Sequence, residues 1–446
     1  MNKGFGFLFE MGCGKTLTAI ATAGTLYIER RIRRVLIVAP TSVCSVWPKE
    51  FDDFADFPHI VKVMLGTKKQ RLKQLQDLFD FPREALRVAV INYESTWREG
   101  IFEKLMEYRP DLIIADESQR IKTFDAEQSK AMHKLGDKTT FKLILSGTPV
   151  QNNALDLYSQ YRFLDPMVFG KNFYSFRNRY CIMGGFNRKQ IVAYRDLDEL
   201  VKKEHSIAYR VTKEEALDLP EQTFETRYII LSPTERKLYD KIRRESAAEL
   251  ANGETISATT VLTKMLRLQQ FTGGFIVTDE SEKPQQISSG KINALEDIIE
   301  DYVLGAGKKL VIFARFRAEI DLIMALLKKK KVRFGRIFGD IPLEERGDIV
   351  KDFQTNPDTK VFVAQIDTAG LGITLTAADT CVYYSVNFNY AAYSQSLARI
   401  HRIGQRNACT YIHLTVEKTI DELVIAALHK KEDLAKTIVD NWQMYF

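Results

Sequence analysis

The chain has 446 residues, of which 45% are hydrophobic and 27% are charged, and its formal net charge at pH 7 is +6. This length is enough for two or three domains with separate cores. No run of about 18 or more apolar residues is present and no signal-peptide pattern is visible, which excludes a membrane protein. The five cysteines lack C-x-x-C spacing, which excludes a disulfide framework and a zinc site. We therefore expect a cytoplasmic protein without membrane contacts.

The positive charge excess is a small indication of a polyanionic partner. Two basic runs add to it, RRIRR at 30–34 and KKKK at 328–331. For each run taken alone, the solvated end of a helix is the favoured interpretation.

The first third of the sequence alternates short apolar runs with longer segments of helical pattern. Four runs end in polar, Gly or Pro residues, namely VLIVAP (35–40), VAVINY (88–93), LIIADE (112–117) and KLILSGTP (142–149). Continuous apolar runs are typical of strands buried on both faces, so the pattern predicts a parallel sheet covered by helices. Ligands of such sheets bind at the carboxyl ends of the strands, where each run has a polar residue.

The middle of the chain has a different composition. Aromatic and basic residues are mixed in FGKNFYSFRNRY (169–180), helical patterns follow, and TDESEKPQQISSG (278–290) indicates an exposed link. From 309 onward the alternation of apolar strands and helices returns. The sequence therefore predicts an α/β fold with two parallel-sheet domains and a mostly helical insert between them.

The stretch MGCGKT at 11–16 lies between an apolar strand, GFGFLFE (4–10), and a helix-forming segment at 15–27. A glycine-rich loop in that position presents backbone N–H groups and a helix N-terminus to phosphate. The stretch is therefore a candidate phosphate-binding loop for ATP.

Each residue of this loop has a specific chemical role if the ligand is ATP. Gly12 and Gly14 let the backbone approach the phosphates, Lys15 reaches the β- and γ-phosphates, and Thr16 holds Mg²⁺. Phe9 stands where the full pattern has its first glycine. From this stretch alone, a tight turn without a ligand stays an open alternative.

A second motif, LIIADES at 112–118, supplies carboxylates at the end of a predicted strand. Asp116 is placed to hold Mg²⁺, and Glu117 to orient or deprotonate the attacking water. The alternative is an acidic surface pair after a buried strand. Two such motifs at strand ends of one α/β domain favour the ATP site.

A third strand ends in LSGTPVQNN at 145–153. Ser146 and Thr148 are candidates for sensing the γ-phosphate and coupling it to a neighbouring domain. Taken alone, this stretch is also compatible with a tight turn.

The second α/β domain lacks a phosphate loop, but SLARIHRIGQ at 396–405 places Arg399 and Arg402 three residues apart, on one face of a predicted helix. One interpretation is a solvated basic helix face. The other is a pair of arginine fingers that stabilise charge developing on the γ-phosphate.

In this order the motifs resemble those of the Swi/Snf family of superfamily-two helicase-like ATPases, in a minimal bacterial or phage form. EMGCGKT resembles motif I of that family, whose usual form also lacks the first glycine, and DESQ, LSGTPVQNN and QSLARIHRIGQ resemble motifs II, III and VI. The matches run from about residue 4 to about residue 436, and motif VI with its trailing Ile-Gly-Gln is the most family-specific.

The resemblance implies two RecA-like lobes that bind ATP and Mg²⁺, with duplex DNA as the partner. It places a first lobe at 1–165, helical protrusions and a linker at 166–290, and a second lobe at 291–446. The site residues carried over by motif are catalytic Lys15, Asp116, Glu117, Arg399 and Arg402, ATP-binding Gly12, Gly14, Thr16, Gly372 and Gln395, coupling Ser146, Thr148 and Gln119, and DNA-binding Tyr93, Arg315 and Thr374.

Three departures from the family pattern are visible. The adenine-reading segment that precedes motif I has no counterpart, so we expect either a truncated or minimal form or weaker adenine binding. Gln119 stands where motif II often has His, which is expected to alter the link between hydrolysis and DNA binding. No targeting module is recognisable, so we expect a separate targeting protein, and otherwise a monomer.

The resulting hypothesis is an ATP-dependent, sequence-independent translocase on duplex DNA. Two alternatives stay open, a strand-separating or annealing helicase at forks and a non-catalytic DNA clamp or adaptor. The aromatic and basic stretch at 169–189 is compatible with a DNA-tracking surface and equally with a protrusion that has its own small core.

Overall fold

The computed structural model describes residues 3–81, 84–185, 190–251, 258–278, 281–367 and 373–435. The chain forms two compact units, one that runs to Asp218 and resumes at Lys431, and a second from Leu219 to Lys430. Each unit contains one parallel sheet with helices, which confirms the predicted α/β fold with two such sheets in tandem. In the described ranges, no helix combines the length and the apolar character that a bilayer crossing needs.

The first unit is built on a seven-stranded sheet in which every neighbouring pair is parallel. The strands are β1 (Gly4–Phe9), β2 (Arg34–Ala39), β3 (His59–Val63), β4 (Leu86–Asn92), β5 (Leu112–Asp116), β6 (Phe141–Leu145) and, after the antiparallel pair β7 (Cys181–Gly184) and β8 (Gln190–Tyr194), β9 (Ala208–Val211). Their spatial order is β3-β4-β2-β5-β6-β1-β9.

Helices cover both faces of this sheet. They are α1 (Lys15–Ile28), α2 (Thr41–Cys44), α3 (Trp47–Phe54), α4 (Lys68–Asp80), α5 (Ile101–Tyr108), α6 (Glu127–Lys138), α7 (Asp156–Leu164), α8 (Pro166–Phe169), α9 (Phe173–Tyr180), α10 (Leu197–His205) and α11 (Lys213–Ala216). Along β2, Leu36 and Val38 belong to the core on one face, and Val35 and Ile37 to the core on the other. Burial on both faces explains the continuous apolar runs of the sequence.

The second unit contains a six-stranded parallel sheet in the order β10-β17-β16-β13-β15-β14. Its strands are β10 (Gln222–Ile229), β13 (Leu310–Ala314), β14 (Arg333–Ile337), β15 (Thr359–Gln365), β16 (Thr380–Tyr383) and β17 (Cys409–Val416), and a separate antiparallel pair is formed by β11 (Phe275–Thr278) and β12 (Ser281–Gln286). The helices are α12 (Pro233–Ala251), α13 (Ala258–Thr272), α14 (Gly290–Ile298) with the π-helical turn Ile299–Gly305, α15 (Arg317–Lys329), α16 (Leu343–Thr355), α17 (Tyr390–Leu397) and α18 (Ile420–Ala435).

The predicted boundaries at 165 and 290 differ from the division into two units. The range 166–290 supplies β9, which pairs with β1 in the first sheet, and β10, which pairs with β17 in the second. Both are edge strands, and β10 is mostly exposed, so it lacks the continuous apolar run that marks a central strand. The predicted insert is therefore shared between the two units.

Candidate active site

The MGCGKT stretch connects β1 to α1, as the sequence predicts. Gly12 and Gly14 have φ values of +90° and +82°, in the left-handed region that favours glycine. Among the described residues, no atom lies within 4 Å of a Cβ built on either glycine, so both face open space. Gly14 is the N-cap of α1, and no described side chain caps that helix. Its first N–H groups are thus left for an acceptor such as phosphate.

Lys15 begins α1 and folds back over the loop. Its Nζ donates hydrogen bonds to the carbonyl oxygens of Phe9 at 2.9 Å and Glu10 at 3.2 Å. Burial lowers the pKa of Lys15, while the carboxylates of Glu117 and Asp116 act in the opposite direction. The ammonium group is therefore held near the loop by neutral acceptors and two nearby negative charges.

Asp116 is the last residue of β5 and is only 7% exposed, and Glu117 follows it directly. The indole Nε1 of Trp47 donates to Asp116 Oδ2 at 3.3 Å. Burial raises the pKa of the Asp116 carboxyl, Glu117 raises it further, and Lys15 opposes both. Glu117 has a φ of 51°, a left-handed backbone conformation that is unusual for a residue other than glycine. That turn ends the strand and directs the chain into the 3₁₀ turn Ser118–Ile121.

A hydrogen-bonded chain leads from Glu117 to the end of β6. Gln119 Nε2 donates to Glu117 Oε2 at 2.6 Å, and Ser146 Oγ donates to Gln119 Oε1 at 2.7 Å. The backbone N–H of Thr148 donates to Ser146 Oγ at 3.1 Å. The buried Thr148 Oγ1 has no hydrogen-bond partner among the described residues. The structure thus brings together the three residues that the sequence singles out for coupling, next to the carboxylates.

Arg210 of β9 is a site residue that sequence reasoning missed. It is 5% exposed, and its Nη1 donates to the carbonyl oxygens of Leu8 at 2.8 Å and Gly147 at 3.2 Å. Its Nη2 donates to Glu10 Oε1 at 3.0 Å. Arg210 therefore cross-links β1, the following loop and the end of β6. The available signal was an arginine inside a short, otherwise apolar strand.

Tyr93 requires a correction. It is predicted to lie near the DNA backbone, but its side chain is 1% exposed and its hydroxyl donates to the Asp116 carbonyl oxygen at 2.8 Å. A side chain in that position supports the end of β5 and has no surface for a phosphate. The prediction failed because the residue after a strand faces either the solvent or the core, and the motif alone does not say which.

In the second unit, Arg399 and Arg402 both point at one backbone carbonyl. Their Nη1 atoms donate to the Ile373 oxygen at 3.5 Å and 3.4 Å. The predicted shared helix face is wrong, because α17 ends at Leu397 and both arginines follow in a turn. In this turn the Arg399 carbonyl accepts the N–H of Leu375 at 2.9 Å. Burial lowers the pKa of Arg402.

The remaining predicted residues of this unit are spread over several elements. Gln395 is half-buried on α17, and Thr374 is half-buried just after the gap in the described residues. Gly372 lies outside the described residues. The Arg315 guanidinium follows β13, contacts Gln269 Oε1 and lies over the Phe316 ring at 4.8 Å from its centroid. These contacts do not gather the predicted DNA residues into one cluster.

Gln405, at the end of the motif VI stretch, has a structural position. Its Nε2 donates to the carbonyl oxygens of Ala378 at 2.8 Å and Ile400 at 3.2 Å, and its Oε1 accepts the N–H groups of Arg406 and Asn407. The side chain therefore fastens the turn that carries the two arginines.

Comparison with known proteins agrees with this arrangement. The family model described as SNF2-related domain matches residues 3–273, and the helicase conserved C-terminal domain matches residues 290–404. An uncharacterised ATP-dependent helicase of Mycoplasma genitalium is 28% identical over 97% of this chain and 40% of its own length. A RAD54-like DNA repair and recombination protein of Drosophila pseudoobscura pseudoobscura is 27% identical over 97% of this chain and 60% of its own length.

A solved SWI2/SNF2 ATPase core of Sulfolobus solfataricus in complex with dsDNA is 25% identical over 99% of this chain and 90% of that chain, with a TM-score of 0.43. At that score the superposition adds no argument about the fold, which rests on the two sheets described above. This chain spans 40% and 60% of the two curated relatives. On the family models that match its two halves, the chain belongs to the SNF2-related family of helicase-like ATPases.

Proposed function

We propose that this chain is an ATPase that moves along duplex DNA, with its ATP site at the carboxyl edge of the first sheet. The observation that carries the proposal is the open, glycine-lined loop before α1, with Lys15 in the field of the Asp116 and Glu117 carboxylates. Phosphates bind readily to such a loop because its N–H groups and the helix dipole favour negative charge.

The residues present fit a Mg²⁺ ion that enters together with ATP. No group of three or more His, Cys, Asp or Glu side chains suited to a metal occurs within the described ranges. Mg²⁺ needs no such cage, because it binds through one or two protein oxygens, substrate phosphates and water. The Thr16 hydroxyl and the Asp116 carboxylate are hard oxygen donors of this kind. When bound, the ion neutralises charge on the β- and γ-phosphates.

The side chains of the chain itself account for the other roles. Glu117 orients the attacking water and accepts its proton, and Lys15 contacts the phosphates. Arg399 and Arg402 act as arginine fingers on the γ-phosphate charge. The chain from Glu117 through Gln119 to Ser146 supports a coupling role, since a shift of Glu117 on binding ATP must break or move two hydrogen bonds of 2.6 Å and 2.7 Å.

Duplex DNA is the proposed partner because of the family and because one relative is a DNA repair and recombination protein. A motor that tracks along DNA of any sequence grips phosphates and leaves the base edges alone. Its affinity is then expected to fall steeply with salt concentration.

The test is ATP hydrolysis by the purified chain with no nucleic acid, single-stranded DNA, duplex DNA or duplex RNA. Duplex DNA is expected to stimulate turnover most. Lys15→Ala and Glu117→Gln are expected to lower it by a factor of about 100 to 10,000, as loss of a positioned catalytic group does. Trp97→Phe, a change at an exposed residue, is the control and should keep the turnover.

The outcomes separate the competing functions. Turnover near the wild-type value in Lys15→Ala or Glu117→Gln would overturn the site assignment. Hydrolysis absent under every condition, with DNA binding intact, would identify a clamp. Release of a triplex-forming strand without separation of the duplex supports translocation, whereas strand displacement supports a helicase.

A further inference from the structure

The turn between α1 and β2 borders a cavity at the amino edge of the first sheet, away from the proposed ATP site. The cavity has a volume of about 630 Å³, and five of its eight lining residues are arginines. We term it the arginine pocket, lined by Arg30, Arg31, Arg33, Arg34 and Arg87 together with Asp111, Ile32 and Phe79. Ligand pockets of small molecules usually have volumes of about 300–1,000 Å³.

The backbone below the pocket is firmly held. The N–H of Arg87 donates to the Arg33 carbonyl oxygen at 3.0 Å, and the N–H of Asp111 donates to the Arg34 oxygen at 2.8 Å. Asp111 Oδ2 in turn accepts the N–H groups of Arg33 at 2.9 Å and Arg34 at 3.0 Å. The arginines therefore project from one rigid sheet edge, and the single lining carboxylate directs one oxygen to backbone amides.

One lining arginine has an unbonded donor, and another sits in a left-handed turn. Arg30 has a φ of 59°, in the left-handed region where glycine is the usual residue. The Nε of Arg87 is buried and makes no hydrogen bond to any described residue. The unbonded buried donor points to a ligand that the free protein lacks.

The second unit contains the same turn after α15. After α1, Arg30 N–H bonds to the Tyr27 oxygen and Arg31 N–H to the Leu26 oxygen, and after α15, Lys331 and Val332 repeat both bonds with Lys328 and Leu327. Lys331 also has a left-handed φ, 56°.

Carboxylates lie near cations at both turns. In the first unit, Arg34 Nη2 lies 3.8 Å from Asp111 Oδ1 and Arg31 Nη1 lies 3.5 Å from Glu29 Oε2. In the second unit the contacts are shorter. Lys330 Nζ lies 2.6 Å from Glu296 Oε1 and also contacts Glu300, and Arg333 lies 3.1 Å from Asp352. The turn itself therefore does not require an arginine pocket.

We propose that the arginine pocket binds a compact anion that carries two or more linked phosphate groups. Guanidinium groups match phosphate with paired N–H donors, and several guanidiniums around one concave site suit a short chain of phosphates better than a straight duplex. The ligand is either inorganic polyphosphate or the phosphate tail of a nucleotide. The proposal does not rest on the ATPase function, since the pocket lies at the other edge of the sheet.

The experiment is a calorimetric titration with inorganic tripolyphosphate, without Mg²⁺. Every protein in the titration carries Lys15→Ala, so that binding of tripolyphosphate at the phosphate loop contributes least to the measured affinity. Adding Arg30→Gly and Arg33→Gln is expected to weaken binding about tenfold or more, the effect of losing a hydrogen bond between charged groups. The matched control adds Lys331→Gly and Lys329→Gln at the second turn and should keep the affinity within about twofold, because neither lysine lines the arginine pocket.

Three results would overturn the proposal. They are an unchanged affinity in the arginine variant, equal losses in both variants, and a loss of duplex DNA binding with unchanged tripolyphosphate binding. Arg30→Gly relieves a strained turn, so the variant is expected to fold, and its melting temperature serves as the check. In the chain with Lys15 intact, the same arginine changes should remove one of two tripolyphosphate sites. Competition by GTP identifies a nucleotide tail as the ligand, and its failure to compete identifies free polyphosphate.

Discussion

Two lysines, Lys15 of the first unit and Lys291 of the second, are held in different ways. In the first, the Lys15 ammonium contacts two carbonyl oxygens, and Asp116 is bonded to an indole. In the second, Lys291 is 3% exposed and its Nζ lies 2.7 Å from Asp421 Oδ2, so the two charges cancel each other. Charges held by neutral partners are available to a ligand, whereas charges that neutralise each other stabilise the fold.

The largest expected effect is the loss of hydrolysis in Arg402→Ala. If the second unit supplies an arginine finger to ATP bound by the first, turnover should fall about a thousandfold or more while ATP binding is retained. Turnover assays and binding of a fluorescent ATP analogue measure the two quantities separately. Loss of ATP binding in this variant would mean that Arg402 has a structural role, like the Lys291 and Asp421 pair.

The next effect is on the stability of the second unit. Lys291→Met leaves Asp421 buried without its counter-ion and should lower the free energy of unfolding by about 3–5 kcal/mol. Lys308→Met is the control, because the Lys308 side chain is 51% exposed in its pair with Asp379 and should cost about 0–1 kcal/mol. Urea unfolding, monitored by hydrogen exchange of the α14 backbone amides, measures the change in unfolding free energy of both variants. Equal losses would contradict the structural role of the buried pair.

A smaller effect is expected for the indole that holds Asp116. Trp47→Phe removes the N–H donor while keeping an aromatic ring, so the apparent Mg²⁺ affinity in the ATPase assay should weaken about tenfold, as for other residues that orient a metal ligand. Turnover at saturating Mg²⁺ should largely recover. Trp97→Phe, at a residue that is 45% exposed, is the matched control. A lower turnover with unchanged Mg²⁺ dependence would instead indicate general damage to the core.

The smallest effect tests the two equivalent turns. Arg30→Gly and Lys331→Gly each replace a left-handed residue, at φ values of 59° and 56°, by the one that adopts this conformation without strain. Each change should stabilise the chain by about 0.5–1 kcal/mol, which calorimetric melting resolves. Stabilisation at only one of the two turns would show that they are less alike than their hydrogen bonds indicate.

Local sequence patterns were sufficient for the sheets and for much of the proposed ATP site. Buried parallel strands give continuous apolar runs, and strand ends meet at one edge, so Gln119 and Ser146 could be predicted to lie near the carboxylates. Hydrogen bonds between them confirm that proximity. Their role in coupling stays a prediction.

Local patterns could not predict contacts between residues that are distant in sequence. Trp47 and Asp116 are 69 residues apart, and Arg210 lies 202 residues from Leu8, so neither pair leaves a local signature. The burial of Tyr93 and the end of α17 at Leu397, before Arg399, likewise left no local signature.

The position of β1 in the first sheet has a consequence for biosynthesis. β1 carries the phosphate loop, yet both of its neighbours, β6 and β9, come much later in the chain, as the pairing of Gly4 with Lys142 and of Gly6 with Ala208 shows. Contacts so distant in sequence form slowly. On the ribosome, β1 must therefore wait as an unpaired apolar strand until β6, which ends at Leu145, has emerged, a period in which it is open to aggregation or to chaperones. Its other edge stays open until β9, which ends at Val211, has emerged. The loop acquires its support from Arg210 only at the end of that wait.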